Sequence, residues 1–192
     1  MARPETSAAR APGARLSVDD WLLAGLDLLA AEGLAAVKVE PLCTRLGVTK
    51  GSFYWHFEDL RSFLAALAQR WSEDRDAARA AFVAEVARRD PLDRLRWMST
   101  ALVQPRQISL ERAIREWAVS DEEVRARVAE QDGWGFAAVH EAFRDLGFTG
   151  DDADVRAKTL YFAGIGYIHS ARLDLPDVPD HREGLLQILA RK

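Results

Sequence analysis

The side chains best suited to chemistry lie in one short run, KGSFYWH at residues 50–56. At helical spacing Phe53 and Phe57 are one turn apart and can face a core together. Lys50, Tyr54 and His56 then lie on other sides of the helix, where their N–H and O–H groups can donate hydrogen bonds. Half or more of the hydrogen bonds between proteins and DNA go to phosphate or sugar oxygens. So much polar and aromatic surface on so short a helix is typical of a helix that lies in a DNA groove.

The residues before this run predict a helix-turn-helix. Leu42 and Leu46 form the apolar side of a preceding short helix, and Gly47 and Thr49 separate the two segments. A glycine and a candidate N-cap between two short periodic segments are the usual punctuation of that motif. Pro41 fits the first turn of the earlier helix, where a missing N–H costs nothing.

The rest of the chain predicts an all-α fold of about nine helices, since no strand pattern occurs. Ser17 is the expected N-cap of the first helix and Gly33 its end. Asp59 is the expected cap of a long fourth helix, which runs to about Arg88 because Asp90-Pro91 breaks it. Residues 1–15 lack an apolar period and are expected to form a disordered tail. The later predicted helices cover residues 91–104, 108–119, 121–146, 151–173 and 180–190.

The eleven-residue string GVTKGSFYWHF (47–57), with flanking helices over residues 17–67, resembles the TetR family of bacterial transcriptional repressors. The resemblance implies a helix-turn-helix head at about 16–62 and a helical ligand-binding and dimerisation body at 63–192. Many family members have a lysine at the start of the fourth helix where this chain has Leu60. The phosphate contact of that lysine is then either lost or moved to Arg61 and the N-terminal amides of the helix.

The resemblance and the polar surface of the run together give a set of expected DNA contacts. Several of these residues also have a simpler interpretation. Lys50 could be a solvated surface lysine, Thr49 only an N-cap, and Gly51 a site of close helix packing. Tyr54 could be half-buried, and Trp55 could pack against the first helix. The expected DNA-binding residues are Lys38, Thr49, Lys50, Gly51, Ser52, Tyr54, Trp55, His56 and Arg61.

The body is rich in aromatic residues, which either form an ordinary helical core or line an apolar cavity. Small-molecule sites are mostly apolar with a few orienting polar groups. A small apolar or amphipathic effector is therefore the expected ligand. The candidate pocket residues are Trp71, Trp97, Gln104, Arg115, Trp117, Trp134, His140 and Tyr161.

The predicted helices 121–146 and 151–173 each carry an apolar face, which one chain has little left to cover. The family resemblance implies a four-helix interface with a second copy. The expected interface residues are Val124, Val128, Phe136, Val139, Phe143, Val155, Leu160, Gly164 and Tyr167.

Composition limits the remaining classes of function. The net charge of −4 argues against DNA binding by bulk electrostatics, but not against a local site. Cys43, the single cysteine, allows no internal disulfide; it is either an oxidant sensor or, as we expect, a small packing residue. No apolar run is long enough to span a membrane and no secretory signal is present, which predicts a cytoplasmic protein. The four histidines are scattered and no metal, cofactor or catalytic motif appears, so we expect no enzyme.

The sequence therefore predicts a transcriptional regulator, with repression as the expected mode. It would bind a pseudo-palindromic DNA operator as a homodimer and release it when an effector enters the body. The alternative is a helical ligand-binding protein whose head has lost specific DNA binding. A mobility shift with competing random DNA separates the two.

Overall fold

The computed structural model describes residues 16–86, 89–101, 105–170 and 181–191. Within these ranges the predicted all-α fold is confirmed, with nine α-helices and one short 3-10 turn at Leu34–Ala36. The α-helices are α1 Val18–Glu32, α2 Val39–Leu46, α3 Lys50–His56, α4 Leu60–Val86, α5 Pro91–Ala101, α6 Pro105–Ala118, α7 Glu122–Asp145, α8 Gly150–Ser170 and α9 His181–Leu189.

The helix ends follow the capping residues that the sequence indicates. Ser17 and Asp20 form a reciprocal capping box at α1, in which the Asp20 N–H donates to Ser17 Oγ at 3.2 Å and the Ser17 N–H donates to Asp20 Oδ2 at 2.8 Å. Asp59 caps α4 by accepting from the Ser62 N–H at 2.7 Å. Asp121 caps α7, which begins one residue later than predicted.

Prolines lie in the first turns of α2 and α6. Helix α2 begins at Val39, so that Pro41 is its third residue and still lies in the first turn. Helix α6 begins at Pro105, three residues before the predicted Ile108, because proline at the first helical position loses no hydrogen bond. The predicted tail and residues 87–88, 102–104, 171–173 and 180 of the predicted helices lie outside the described residues.

One buried cluster joins the head to the body. It contains Trp21, Phe53 and Phe63 from α1, α3 and α4, and it continues through Ile114 and Trp117 of α6. A second cluster, formed by α5, α7, α8 and α9, lies deeper in the body around Phe143. Helix α6 is thus part of the head core as well as of the body.

Gly25 sets the approach of α1 to α4. A Cβ atom at this position would lie 2.7 Å from Phe63 Cζ and 2.9 Å from Leu67 Cδ1. Both of these side chains are fully buried. Glycine therefore allows α4 to pack against α1 at the point where α4 also supports α3.

Candidate functional site

Helix α3 is held to the head by its apolar face. Phe53 is fully buried, and its ring lies 5.5 Å from the ring of Trp21 and 5.7 Å from that of Phe63. Phe57, just after the helix, packs on Phe63 with ring centroids 5.0 Å apart. The turn before α3 is made by Gly47 at φ +68°, a left-handed conformation that favours glycine. These contacts fix which side of α3 faces solvent.

The opposite side of α3 presents two large aromatic side chains to solvent. Tyr54 is 57% exposed and Trp55 is 61% exposed. Trp55 contacts the ring of His56 at 4.6 Å between centroids, and the half-buried His56 reaches towards Trp21 at 6.3 Å. Tyr54 is therefore not half-buried, and exposure of Trp55 does not favour packing against α1. Two neighbouring exposed aromatic side chains rimmed by polar residues are typical of an interaction surface.

Polar groups surround the two aromatic residues. Lys50 Nζ lies 3.1 Å from Glu40 Oε2, and both side chains are exposed. The Thr49 hydroxyl makes no capping hydrogen bond, although Thr49 is the N-cap residue of α3. A Cβ on Gly51 would meet only Thr49 Oγ1, at 3.7 Å, so no neighbouring helix requires glycine here. Ser52 is half-buried.

The two cations expected from outside α3 occupy different places. Lys38 lines a shallow surface depression shared with Lys50, Arg45 and Glu40. Sequence reasoning did not select Arg45, whose guanidinium is 3.7 Å from an Asp27 carboxylate oxygen. Arg61 is exposed in the first turn of α4.

Cys43 lies inside the head, as expected for a small packing residue. The residue is buried in the same cluster as Leu42 and Phe53. Burial raises the pKa of the Cys43 thiol, with a smaller opposing effect from the Lys50 charge. The thiol is therefore protonated at neutral pH, which disfavours reaction with oxidants.

A cavity of about 550 Å³ opens within the body and is lined by residues of α4 to α9. Four of the eight candidate pocket residues line it, namely Trp97, Arg115, Trp134 and Tyr161. The volume is within the range of sites for small organic molecules.

Three of the other candidates do not line the cavity. Trp71 and Trp117 are buried in the cluster that joins head and body. His140 Nε2 lies 2.9 Å from Asp154 Oδ1, and its ring stacks on Phe136. Gln104 lies outside the described residues.

A buried polar network forms one wall of the cavity. Arg115 donates to Asp132 Oδ2 at 2.9 Å and to Glu111 Oε1 at 3.1 Å, and the Tyr161 hydroxyl donates to Asp132 Oδ1 at 2.7 Å. Burial raises the pKa of Asp132, but hydrogen bonds from Arg115 and Tyr161 outweigh it and leave that pKa below its usual value. Burial and the Asp132 carboxylate both raise the pKa of Tyr161. The wall therefore holds charged Asp132 and neutral Tyr161 at neutral pH.

Sequence reasoning missed most of the charged lining. Glu111 and Arg115 are four residues apart on α6, a spacing that could have indicated an ion pair. Asp132 on α7 joins the same network through hydrogen bonds from Arg115 of α6 and Tyr161 of α8, long-range contacts that no local pattern reveals. Arg75, Arg79 and Arg182 also line the cavity.

Most of the expected interface residues are covered by their own chain. Val124 and Val128 lie in the cluster that includes α6, and Val139 and Phe143 lie in the second cluster. Phe136 packs on Tyr161 with ring centroids 6.1 Å apart. Of the expected interface residues on α8, three line the cavity, namely Leu160, Gly164 and Tyr167. Only Val155 of the nine is strongly exposed, at 62%.

A different stripe of α8 faces solvent. Val155 and Phe162, the latter 65% exposed, lie on it together with exposed Thr159 and Gly166. Successive spacings of four, three and four residues place these positions on one side of the helix. Ile188 of α9, which packs beside α8, is also exposed.

Residues 16–86, 89–101, 105–170 and 181–191 contain no helix with the length and apolar character to cross a membrane. The same ranges hold no cluster of three or more His, Cys, Asp or Glu side chains suited to a metal ion.

Comparison with known proteins agrees with the head geometry. Residues 22–67 match the family described as bacterial regulatory proteins, tetR family. No curated protein sequence matches the chain.

Several solved structures share the fold of nearly the whole chain. A protein from Rhodococcus sp., assigned as a TetR-family transcriptional regulator, is 19% identical with a TM-score of 0.64, over 91% of this chain and 98% of that one. A transcriptional regulator from Rhodococcus sp. Rha1 is 20% identical with a TM-score of 0.66, over 91% and 94%. A protein from Saccharomonospora viridis, assigned as a transcriptional regulator and solved in complex with choline, is 17% identical with a TM-score of 0.68, over 90% and 92%. At these identities the likeness concerns the fold.

Proposed function

We propose that the chain represses transcription by binding a pseudo-palindromic operator as a homodimer. The match of residues 22–67 to the tetR family of bacterial regulatory proteins supports this, as does the fold shared with solved transcriptional regulators. A small molecule that enters the body cavity releases the DNA. The observation that carries the proposal is the two-sided α3, with Phe53 buried and Tyr54 and Trp55 exposed.

The outer face of α3 supplies the DNA contacts in this proposal. Tyr54 and the Thr49 hydroxyl donate to phosphate oxygens, and Lys50 reaches a phosphate or a base edge. Lys50 is now paired with Glu40, but an exposed pair of this kind is worth only about 0–1 kcal/mol. A phosphate can therefore replace the Glu40 carboxylate at little cost. Arg61 takes the phosphate contact that Leu60 cannot make.

The exposed stripe of α8 is the part of the chain that we assign to the dimer. Phe162 and Val155 expose large apolar side chains, and Gly166 allows a second helix to approach closely. A twofold axis along this stripe would relate two copies of α3, which would read half-sites about 34 Å or a multiple apart.

Two helices connect the cavity to the head. Helix α4 contributes Phe82 to the cavity and Phe63 to the head core. Helix α6 contributes Arg115 to the cavity and Trp117, two residues later, to the head core. A ligand that favours one arrangement of these helices changes DNA affinity by at most its own differential binding energy. Allosteric coupling of this type is about 1–3 kcal/mol, or roughly 5–150-fold.

The DNA-binding part is tested by selecting sites from a random pool and measuring affinity at several salt concentrations. Lys50→Ala and Tyr54→Phe should both weaken binding without loss of thermal stability. Lys50→Ala should also lower the slope of log affinity against log salt by about one if Lys50 contacts phosphate. Arg144→Ala, which removes an exposed cation from α7 outside both the assigned DNA-binding face and the assigned dimer stripe, is the matched control and should behave as wild type.

The outcomes separate the proposal from its rival. Wild-type affinity and salt slope in both variants would contradict the assigned DNA-binding face. Failure to select any sequence, with competing random DNA present, would favour the helical ligand-binding protein that no longer recognises DNA.

The dimer is tested by light scattering at micromolar concentration. Phe162→Glu places a charge on the exposed stripe and should shift the protein to a monomer. Val119→Glu is the control, because Val119 is also highly exposed but lies at the end of α6. A Phe162→Glu protein that stays dimeric would refute the assigned interface.

A further inference from the structure

The carboxylates that line the cavity already have partners. Glu111 and Asp132 both accept hydrogen bonds from Arg115, and Asp132 accepts a further one from Tyr161. Arg115 is largely buried, as is Glu111. A cationic ligand would have to compete with Arg115 for these oxygens. The acidic groups of the wall are thus poorly placed to attract a cation.

Among the described residues, two of the cavity arginines, Arg75 and Arg182, form no salt bridge, although the charge of Arg75 helps to lower the pKa of Asp132. Arg79 is paired with Asp76 at 3.1 Å and lies over the ring of Trp134. Within the described ranges, neither Arg75 nor Arg182 has a carboxylate oxygen within 4.0 Å. The cavity lining therefore includes four arginines and two carboxylates, a positive excess.

Arg182 is the strongest indication of what that excess binds. Its Nη1 atom is buried and has no hydrogen-bond partner among the described residues. Arg94 and Arg127 also have an unpaired buried Nε, but their Nη2 atoms are paired with carboxylates. A buried guanidinium N–H without an acceptor is costly and calls for a physical explanation. An oxyanion in the cavity would supply the acceptor.

The apolar part of the cavity is aromatic. The ring of Phe82 lies 5.0 Å from that of Trp97 and 5.3 Å from that of Trp134. These residues of α4, α5 and α7 line the same cavity as Arg182 of α9. The Arg182 guanidinium itself lies 5.8 Å from the ring centroid of Tyr167. Aromatic walls and an unpaired guanidinium suit a ligand with an apolar body and one charged end.

We propose that the cavity binds an amphipathic organic anion, whose carboxylate-type oxyanion pairs with Arg182 and whose aromatic or aliphatic body packs among Phe82, Trp97 and Trp134. This inference rests on the proposed role of the cavity as the effector site. It excludes a quaternary ammonium compound as the preferred ligand of this chain.

Two fluorescent probes with the same frame test the charge preference. 1-Anilinonaphthalene-8-sulfonate carries a sulfonate, and N-phenyl-1-naphthylamine is the same frame without it. Wild type should bind the sulfonate at least about tenfold more tightly, the size expected of one charge-assisted contact. Arg182→Gln should remove that advantage and change the affinity for the neutral probe by less than about twofold. Arg182→Lys should retain part of the advantage.

Controls locate the probes and exclude unfolding. Arg127→Gln removes an arginine that lies outside the cavity lining and should bind both probes as wild type does. Leu160→Trp narrows the cavity and should weaken both probes. Thermal melts of each variant without probe establish that it is folded.

The results distinguish this inference from the proposed function. Equal affinity for the two probes, equal losses in Arg182→Gln, or calorimetric binding of choline tighter than that of the sulfonate would overturn the anion assignment alone. If Leu160→Trp binds the sulfonate probe as tightly as wild type does, the probe binds outside the cavity, and the anion assignment is again wrong. If neither probe binds wild type saturably, both the anion assignment and the proposed effector role of the cavity are wrong.

Discussion

Trp117→Ala tests whether Trp117 stabilises the protein core or acts in the ligand site. Trp117 is only 4% exposed and lies in the cluster shared with Trp21 and Trp71. Truncation of a buried tryptophan to alanine costs about 3–5 kcal/mol through lost transfer energy and the cavity left behind. The change also removes the hydrogen bond from Trp117 Nε1 to Asp121 Oδ2 at 3.3 Å.

A loss of this size is large against the stability of the whole protein. Domains are stable by about 5–15 kcal/mol, so Trp117→Ala should lower the urea midpoint sharply. DNA affinity should fall as well, because the same cluster supports Phe53 of α3. Trp117→Phe keeps a six-membered aromatic ring but loses the pyrrole part of the indole with its N–H donor, so it should cost less than Trp117→Ala.

Urea unfolding and operator titration, each with and without ligand, measure these effects. Trp134→Ala is the control, since Trp134 is half-buried and lines the cavity. It should change ligand response more than stability. If instead Trp117→Ala retains the wild-type urea midpoint and DNA affinity but loses ligand response, Trp117 acts in the ligand site and its assignment to the core is wrong.

Two further changes test the packing and the cavity wall. Gly25→Ala should lower the urea midpoint. Alanine gains about 1 kcal/mol in helix propensity, but overpacking against Phe63 and Leu67 costs about 1–3 kcal/mol. A raised midpoint would contradict the close packing. Asp132→Asn should be destabilising at neutral pH, because the pKa of Asp132 is lowered in the folded state and its contribution is complete above the ordinary aspartate pKa of about 3.9. The stability difference between this variant and wild type should shrink as pH falls through the lowered folded pKa; a difference independent of pH would mean that the charged pair with Arg115 does not stabilise the fold.

The sequence predicted the head well because its signals are local. Gly47, Thr49 and the apolar pair Phe53 and Phe57 define α3 within one turn of chain, and the observed helix Lys50–His56 has the predicted limits. Capping by Ser17 and Asp59 likewise depends on residues three positions away. What remained open was the exposure of Tyr54, which depends on how α3 docks against α1 and α4.

The body was harder to predict because apolar periodicity indicates burial but not the covering surface. Val124 and Phe143 have the apolar spacing of interface residues, yet both are buried within the chain. Val124 lies in the cluster that includes residues of α6, and Phe143 lies in the cluster that includes residues of α8. Trp117 and Trp134 are equivalent as residue types, but one fills a core and the other lines a cavity. The difference depends on which helices meet, and such contacts join residues far apart in the sequence.

Helix α6 gives the clearest physical account of how an effector could act at a distance. Arg115 holds Asp132 of α7 on the cavity side, while Trp117 is buried with the head residues on the other. Arg106, near the start of α6, also pairs with Asp27 of α1. An anionic ligand that drew Arg115 away from Asp132 would therefore act on a helix whose other contacts hold α1. Because α1 also supports Phe53, a shift of α6 would reach α3, and with it the proposed DNA-binding face, through packed side chains alone.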